Sequence, residues 1–494
     1  MLRKQRLIVA SAITAFWLVM VALFLARQGW FAAPPDPPPA ARADLPREQW
    51  MGIFLEDGKR VGYLHLRTDP AARDGVPGQD LALDARLETR LFGMSAGMAI
   101  SGEAWTAENG ETANFSFALT SGDHKMGAEG ALSGGRLIAT LQTGGQAIPL
   151  VFPVQSPLLP ASAMGLTPAG MPDLEPGESV TIPAFDPLAM KMGEARIECV
   201  GNELIAAAGV EYGTRVYATT IGGLTSKAWV ATGGEVIQAT TPFGFTLRKI
   251  APETLAEATP EADQGDIIQS LAIFPTGETV WIDATRLRVR ITGIDPEKLP
   301  HDPPWQVREG DVLEIRQPAP LPAPGDRPAG PEFDTVPYLE SDPFIAADHP
   351  EIIERAHAIA GDETDPWARA VRLHEWMYEE IEKIPVLSVP NALDVLRTGQ
   401  GDCNEHAVLY AALARALGIP CRIAIGLVYS DMLGGFGYHA WPEVYHGEWY
   451  PIDPTLGQLA ADATHIKLFN GGLDAWMQLA GYIGQMEIEV LEVE

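Results

Sequence analysis

From Trp50 to about Arg248 the chain is a succession of short alternating apolar stretches separated by turn residues, and this pattern narrows the fold more than any other feature. Gly52–Leu55, then Asp57-Gly58, then Val61–Leu66 reads as a hairpin. Leu81–Leu91, Gly97–Trp105, Asn114–Leu119 and Arg136–Gln142 follow at regular spacing. After a Pro-rich stretch over Ser156–Pro187 come Ala195–Val200, Thr214–Thr220, Ser226–Ala231, Val236–Thr240 and Thr246–Ile250. Side chains that alternate with period two and connections of a few residues specify antiparallel strands, so residues 47–250 are expected to form one large antiparallel β domain. Cys199 falls in one of these strands and reads as a small core residue.

Two segments precede this domain. Leu7–Ala26 is a run of 20 residues without a charge, enough to cross a hydrocarbon core of about 30 Å. Arg3, Lys4 and Arg6 lie before it and Arg27 after it, which orients the N-terminus to the cytoplasm. Residues 1–30 are therefore expected to be a transmembrane anchor in the inner membrane, with the bulk of the chain periplasmic or otherwise extracytoplasmic. A cleaved signal peptide is the rival reading, with Ala41-Arg42-Ala43 as its site. Residues 31–46 are rich in Pro and Ala and read as an extended spacer of at most ~40 Å.

Beyond the β domain, Ala251–Gln264 is acidic and helix-favouring. Ser270–Phe274, Thr279–Asp283, Leu287–Thr292 and Val312–Arg316 read as short strands, and the Pro- and Gly-rich Pro318–Pro331 marks a boundary. Residues 251–335 are taken as a connector with a small β unit. Residues 336–494 change character and carry helical periodicity. Helices are expected to start at Asp348-His349-Pro350 and at Asp365-Pro366-Trp367, the second with a capping residue followed by Pro at the first helical position. Another spans Asn391–Leu396. The whole is an α+β chain.

The chemistry concentrates at Gly401-Asp402-Cys403-Asn404-Glu405-His406. An apolar helix starts directly after the cysteine and is stopped by Gly418-Ile419-Pro420, so Cys403 sits at a helix N-terminus, where unpaired N–H groups favour a thiolate. Downstream lie Tyr438-His439-Ala440-Trp441 and Pro451-Ile452-Asp453-Pro454-Thr455, which supply a histidine and a carboxylate on separate elements. A nucleophile, a base and a group that orients the base are the parts of a thiol triad.

The hairpin joining His439 to Asp453 sets their geometry. A three-residue loop over Tyr445–Gly447 puts Asp453 directly opposite His439, with Cβ atoms ~5 Å apart. A two-residue loop, His446-Gly447, turns Asp453 to the other face. The triad reading predicts the longer loop or an equivalent bulge. Pro442 cannot donate to a ladder and implies an edge or a bulge there.

These three motifs, with Asn391–Leu396 before the cysteine and Asp453–Gln458 after the last strand, resemble the transglutaminase-like superfamily over about residues 336–470. The resemblance implies a papain-like, transglutaminase-like α+β domain in which Cys403 is the nucleophile, His439 the base and Asp453 the orienting carboxylate. It implies acyl transfer on a peptide or protein substrate: hydrolysis of a peptide or amide bond first, protein transglutamination second. Gln400 is a candidate second oxyanion donor and Trp441, on the face of His439, a candidate wall of the site. Glu405 reads as a first-turn acid, and His406, Asp462 and His465 as structural. Such a mechanism uses no metal or other cofactor.

Composition limits the alternatives. The chain carries 65 acidic against 35 basic residues, a formal charge of -30, which argues against nucleic acid and against docking on anionic lipid heads. Three cysteines without close pairs give neither a disulfide framework nor zinc spacing. One free thiol of low pKa is the simplest reading. Two further functions stay open: an anchored binding or assembly protein with a vestigial thiol site, and a β domain that holds a lipid or peptide in a curved sheet.

Overall fold

The computed structural model describes residues 47–494 apart from 56, 92–93, 108–111, 134, 154–172, 187–190, 222, 243, 256–265 and 327–333. The expected anchor over Leu7–Ala26, the spacer after it and most of the acidic connector lie outside the described residues. Among those described, no helix is long and apolar enough to cross a membrane.

Two β meanders come first. One comprises β1 (Arg47–Phe54), β2 (Arg60–Arg73), β3 (Val76–Leu91), β4 (Met94–Ala107), β5 (Thr112–Ser121), β6 (His124–Ser133), β7 (Arg136–Thr143) and β8 (Gln146–Pro153). The other comprises β9 (Ser179–Asp186), β10 (Lys191–Ala207), β11 (Val210–Ile221), β12 (Leu224–Ala231), β13 (Val236–Thr240) and β14 (Thr246–Lys249). β1 pairs with β14, so the meanders fuse into one antiparallel sheet of 14 strands with β8 and β9 at its edges. The alternation is plain in β7, where Leu137, Ala139, Leu141 and Thr143 are buried between more exposed neighbours. Met51, Leu64 and Ala85 share a core with Ile197, Cys199 and Tyr217, although β2 and β3 are not neighbours of β10 and β11. The sheet therefore curls, bringing one apolar face onto itself. Towards β8 the same face stays partly exposed at Ile100, Phe117, Leu119, Ile148 and Leu150. A concavity of about 680 Å³ on the opposite face is lined by both signs of charge, among them Arg67, Arg73, Asp80 and Glu129.

The small β unit is larger than the sequence suggests and differs in its parts. Ser270 belongs to a short helix, α1 (Ile267–Leu271), and Thr279–Asp283 forms no strand. The sheet is built from β15 (Thr276–Gly277), β16 (Arg286–Thr292), β17 (Gln306–Glu309), β18 (Val312–Arg316) and a strand from the chain's far end, Glu487–Val493, which lies between β15 and β16. Pairing of residues nearly 200 positions apart leaves no local signal. Each strand of this unit is too short to hide an apolar face alone. Val289, Leu313 and Ile488 lie in one continuous core with the helices that follow.

Those helices are α2 (Pro350–Ala360), α3 (Pro366–Glu380), α4 (Ala392–Thr398) and α5 (Cys403–Ala416). Asp365 and Asn391 cap α3 and α4 through their side chains, as their sequence positions suggest. A two-residue parallel pair, β19 (Glu382–Lys383) and β20 (Gln400–Gly401), frames the approach to α5. α5 is buried on every side from Glu405 to Ala414, so it is the central post of the domain and not a surface helix with one apolar stripe. A sheet of β21 (Cys421–Ser430), β22 (Gly435–Tyr445), β23 (Trp449–Pro451) and β24 (Ile466–Asn470) packs against it in the order β23-β22-β21-β24. α6 (Leu473–Ala480) and β25 (Glu487–Val493) complete the chain.

The large sheet meets this domain through a turn. Gly144 and Gly145 both have positive φ, +58° and +69°, as a two-residue hairpin of the I′ type needs. The turn docks on the start of α4. Asn391 Nδ2 donates to Thr143 Oγ1 at 3.2 Å, the Gly144 amide donates to Asp394 and Arg397 donates to the Gly144 carbonyl.

Candidate active site

The loop before α5 is built for tight entry. Asp402 caps the helix, accepting from the Asn404 amide at 2.8 Å, and Glu405 reaches back to the Asp402 amide at 3.2 Å. This is a reciprocal capping box. Gly401 is required because a Cβ there would lie 2.2 Å from that of Glu405. Cys403 is half-buried and unpaired, and its sulfur takes a hydrogen bond from the Ala440 backbone amide, one residue along from His439.

His439 lies in β22 opposite Gly426 of β21. Its Nε2 meets Asp453 Oδ2 at 2.6 Å, with both side chains buried. With Nε2 engaged, Nδ1 is the nitrogen left for the thiol. The register that achieves this is neither of the two expected. Tyr445 pairs with Trp449 and Val444 with Tyr450, so the loop is His446–Glu448, with Gly447 at φ +84°. Asp453 is displaced by two residues along the ladder and reaches His439 on the diagonal. Proline also cuts the pairing short. Pro442 accepts from the Ile452 amide but returns no N–H, so the ladder ends there and β23 stops at Pro451. Asp453 is then fixed by its own turn. Oδ1 accepts the Thr455 and Leu456 amides at 2.7 and 3.0 Å, and His374 Nε2 contacts the Asp453 carbonyl at 3.2 Å.

The segment from Pro454 to His465 crosses the sheet from β23 to β24, and its two ends meet. His465 Nε2 lies 3.1 Å from Asp453 Oδ2, and its Nδ1 lies 3.2 Å from Asp462 Oδ1. His465 and Asp462, read as structural in the sequence, therefore belong to the polar centre. Trp441 is buried, stacked on His439 with ring centroids 6.0 Å apart and edge-on to His465 at 5.1 Å, so it forms the wall behind both imidazoles.

Gln400 does not join the site. Its amide donates to Glu382 Oε2 at 3.2 Å across the β19–β20 pair, which turns it away from an oxyanion role. The expected low-pKa thiol is also revised. Burial pushes the Cys403 thiol well up, the Asp402 carboxylate adds to this, and the Ala440 amide opposes it. The acid that caps the helix thus offsets the favourable helix terminus. Burial, and then Asp402, push Glu405 well above the usual carboxyl range, so it is a neutral acid that accepts from Ser388 Oγ at 2.6 Å. Burial raises Cys421 to about 12, an inert core thiol. Burial also opposes ionisation of Asp453, but the charge and hydrogen bond of His439 and then the His465 bond outweigh it and hold Asp453 well below its usual value.

Donor atoms of His439, Asp453 and His465 lie within 4.8 Å of one another. Their spacings are hydrogen-bond lengths, with both imidazole N–H groups directed at one carboxylate oxygen, and we read them as a hydrogen-bonded network and not as metal ligands.

Residues 353–454 match the model of the transglutaminase-like superfamily. This segment is a transglutaminase-like domain. Eighty-six residues are 35% identical to the kyphoscoliosis peptidase of Mus musculus and 34% to that of Homo sapiens, covering 15% of this chain and 12% of each of those proteins. An uncharacterized protein of Haemophilus influenzae is 31% identical over 99 residues, covering 19% of this chain and 27% of its own. The chain thus spans a small part of these relatives' length. Among solved structures, one described as a "Putative Cysteine Protease" from Cytophaga hutchinsonii aligns over 45% of this chain and 82% of its own, at 17% identity and a TM-score of 0.28. A β-barrel-like protein of unknown function from Brucella abortus aligns over 42% and 95%, at 12% identity and a TM-score of 0.29.

Proposed function

We propose that the chain is a membrane-anchored thiol enzyme that transfers acyl groups from amide substrates, with hydrolysis of a peptide or amide bond as its main outcome. The buried 2.6 Å contact between His439 and Asp453, one residue from the amide that touches the Cys403 sulfur, carries this reading.

Substrate binding brings a carbonyl to Cys403. Its S–H proton passes to His439 Nδ1 as sulfur bonds to the carbonyl carbon, and Asp453 holds the imidazolium that forms. The Cys403 backbone N–H is the natural first oxyanion donor. His439 returns the proton to the leaving nitrogen as the C–N bond breaks, giving a thioester. Water, deprotonated by His439, then releases the acid and the thiol. An amine in place of water gives transamidation, so a site open to protein amines would make the enzyme a transglutaminase. Because burial and Asp402 raise the thiol, Cys403 rests neutral, and its proton moves to His439 as the carbon–sulfur bond forms.

The same raised thiol is the observation that favours the second reading, an anchored binding or assembly protein whose site does not turn over. The Leu7–Ala26 run supports the anchor and, by its flanking charges, a periplasmic or extracytoplasmic site of action. The partly exposed apolar face of the large sheet supports an apolar or extended peptide ligand there.

An activated aryl ester tests the reading. One acyl group should appear on the Cys403 peptide by mass spectrometry and be released on standing. His439→Ala should slow its formation by ~10²–10⁴. No acyl group on Cys403, or an equal rate without His439, overturns the enzyme and leaves the assembly protein. Added amine distinguishes the acceptors: consumption of the amine identifies a transglutaminase.

A further inference from the structure

His465 sits between two carboxylates, each surrounded by donors. Asp453 receives His439 Nε2, His465 Nε2 and two backbone amides. Asp462 Oδ1 receives the Thr464 amide at 2.9 Å, the Thr464 hydroxyl at 2.6 Å and His465 Nδ1. Its Oδ2 receives Gln458 Nε2 at 2.8 Å and the Asp283 amide at 3.0 Å. These donors favour the charged form of both carboxyls, and each lies below its usual value. The remaining neighbour of His465 Nδ1 is the Asp462 carbonyl at 3.1 Å, another acceptor. A neutral imidazole has one nitrogen that must accept, and here neither nitrogen meets a donor.

The geometry points to His465 as a standing imidazolium, held between Asp462 and Asp453, that positions Asp453 and shares its negative charge with His439. Resting on the proposed role of His439, this makes His465 a positioning residue for the reaction. A second imidazole on the same Asp453 oxygen divides the carboxylate's hydrogen bonding and charge between the two rings, which sets how firmly Asp453 holds His439. Asp462 supplies the counter-charge that makes the cation permanent. Burial lowers the proton affinity of His465, but hydrogen bonds to Asp453 and Asp462 outweigh it, raising His465 to about 9. The groups facing it are Asp453, Asp462 and His439, with Trp441 edge-on. Cys403, His374 and His406 lie beyond, around Asp453.

Two measurements on the full chain test this without needing turnover. The first is ¹⁵N NMR of histidine-labelled protein. At pH ~8, below the value of about 9, one imidazole should carry protons on both nitrogens. That signal should vanish in His465→Gln and in Asp462→Asn. The second is the pH dependence of Cys403 alkylation by iodoacetamide. In His465→Gln the midpoint of the profile should move, because Asp453, which faces both His439 and Cys403, then has one cation fewer to balance its charge. A purely structural His465 would lower the rate at every pH and leave the midpoint in place. A His465 with one bare nitrogen at pH ~8, or a midpoint that stays in place, overturns the proposal. Failure of ester acylation would remove the enzyme reading and leave both of these results standing.

Discussion

Asp453→Asn removes one negative charge and little volume, so its effect can be worked from hydrogen bonds alone. The carboxylate accepts four N–H groups: His439 and His465 at 2.6 and 3.1 Å on one oxygen, Thr455 and Leu456 at 2.7 and 3.0 Å on the other. An amide offers one oxygen and one NH₂. Whichever way it turns, two buried donors face another donor. Each such group costs about 1–3 kcal/mol, and His465 also loses one of its two counter-charges. The total is about 3–5 kcal/mol, the range for breaking a buried pair. At ~2–4 °C per kcal/mol for a domain of this size, the melting temperature should fall by roughly 6–20 °C. If the amide NH₂ faces His439, Nε2 must become the accepting nitrogen and Nδ1 carries the proton. The thiol then has no base, and a wrong tautomer costs ~10⁴ in a related triad. The sign with pH is fixed as well. Asp453 lies well below its usual value in the fold, so its contribution is present above about pH 4 and is lost as pH falls through the folded value. The variant should therefore lose less stability than the parent between pH ~4 and ~2. Thermal unfolding and quenched acylation of Cys403 read both effects. A variant that melts within ~2 °C of the parent and acylates within tenfold of it would refute the reasoning.

His465 gives the opposite pH dependence. Its value is raised to about 9, so its stabilisation is full below pH ~6.5 and lost as pH rises through ~9, by roughly 3 kcal/mol. Urea titrations should show this loss and Asp462→Asn should reduce it. A thiol-reactive dye should modify one cysteine of three in the native chain and all three in denaturant, since Cys199 and Cys421 are buried. Its rate at Cys403 should climb with pH and show no plateau near pH ~6. Glu405→Gln should match or exceed the parent's stability at pH ~8, where the buried acid must otherwise hold a proton. Glu405→Ala should cost about 1–3 kcal/mol by stranding the Asp402 amide and the Ser388 hydroxyl. Gly144→Ala should lower the melting temperature by several degrees, because φ is +58° and the new Cβ would lie 2.3 Å from Asn391 Oδ1.

The parts of this chain that could be read in advance are those set by near neighbours. Asp365 followed by Pro366, Asn391, and Asp402 with Glu405 three residues on each fix a helix start within one turn, and the helices begin there. The strands of the large domain showed through period two, which needs only a covered face. The register at the site was harder because the loop lies at His446–Glu448, one residue beyond the Tyr445–Gly447 loop of the paper hairpin. The same-face relation of His439 and Asp453 survived the two-residue shift, since such a shift preserves the side of the sheet. His465 was missed because nothing local says that a 12-residue loop closes on itself. The strand Glu487–Val493 was missed for a similar reason, its partner Arg286–Thr292 being far away in sequence. The thiol was misjudged because a helix terminus can be read from sequence, whereas burial beside Asp402 cannot.

The double-glycine turn bears on how this protein can be dissected. Asn391, Asp394 and Arg397 each place one polar group against Thr143 or Gly144, and α4 leads within a few residues to the loop that carries Cys403. Cutting the chain near residue 250, where the strand pattern ends, would hydrate three groups that the intact chain keeps paired, all at the root of the nucleophile's loop. A truncated protease-sized fragment would then report the reactivity of a loosened loop. The boundary drawn by topology is a seam in the drawing, while the mechanical unit runs from the tip of the β7–β8 hairpin to the sulfur.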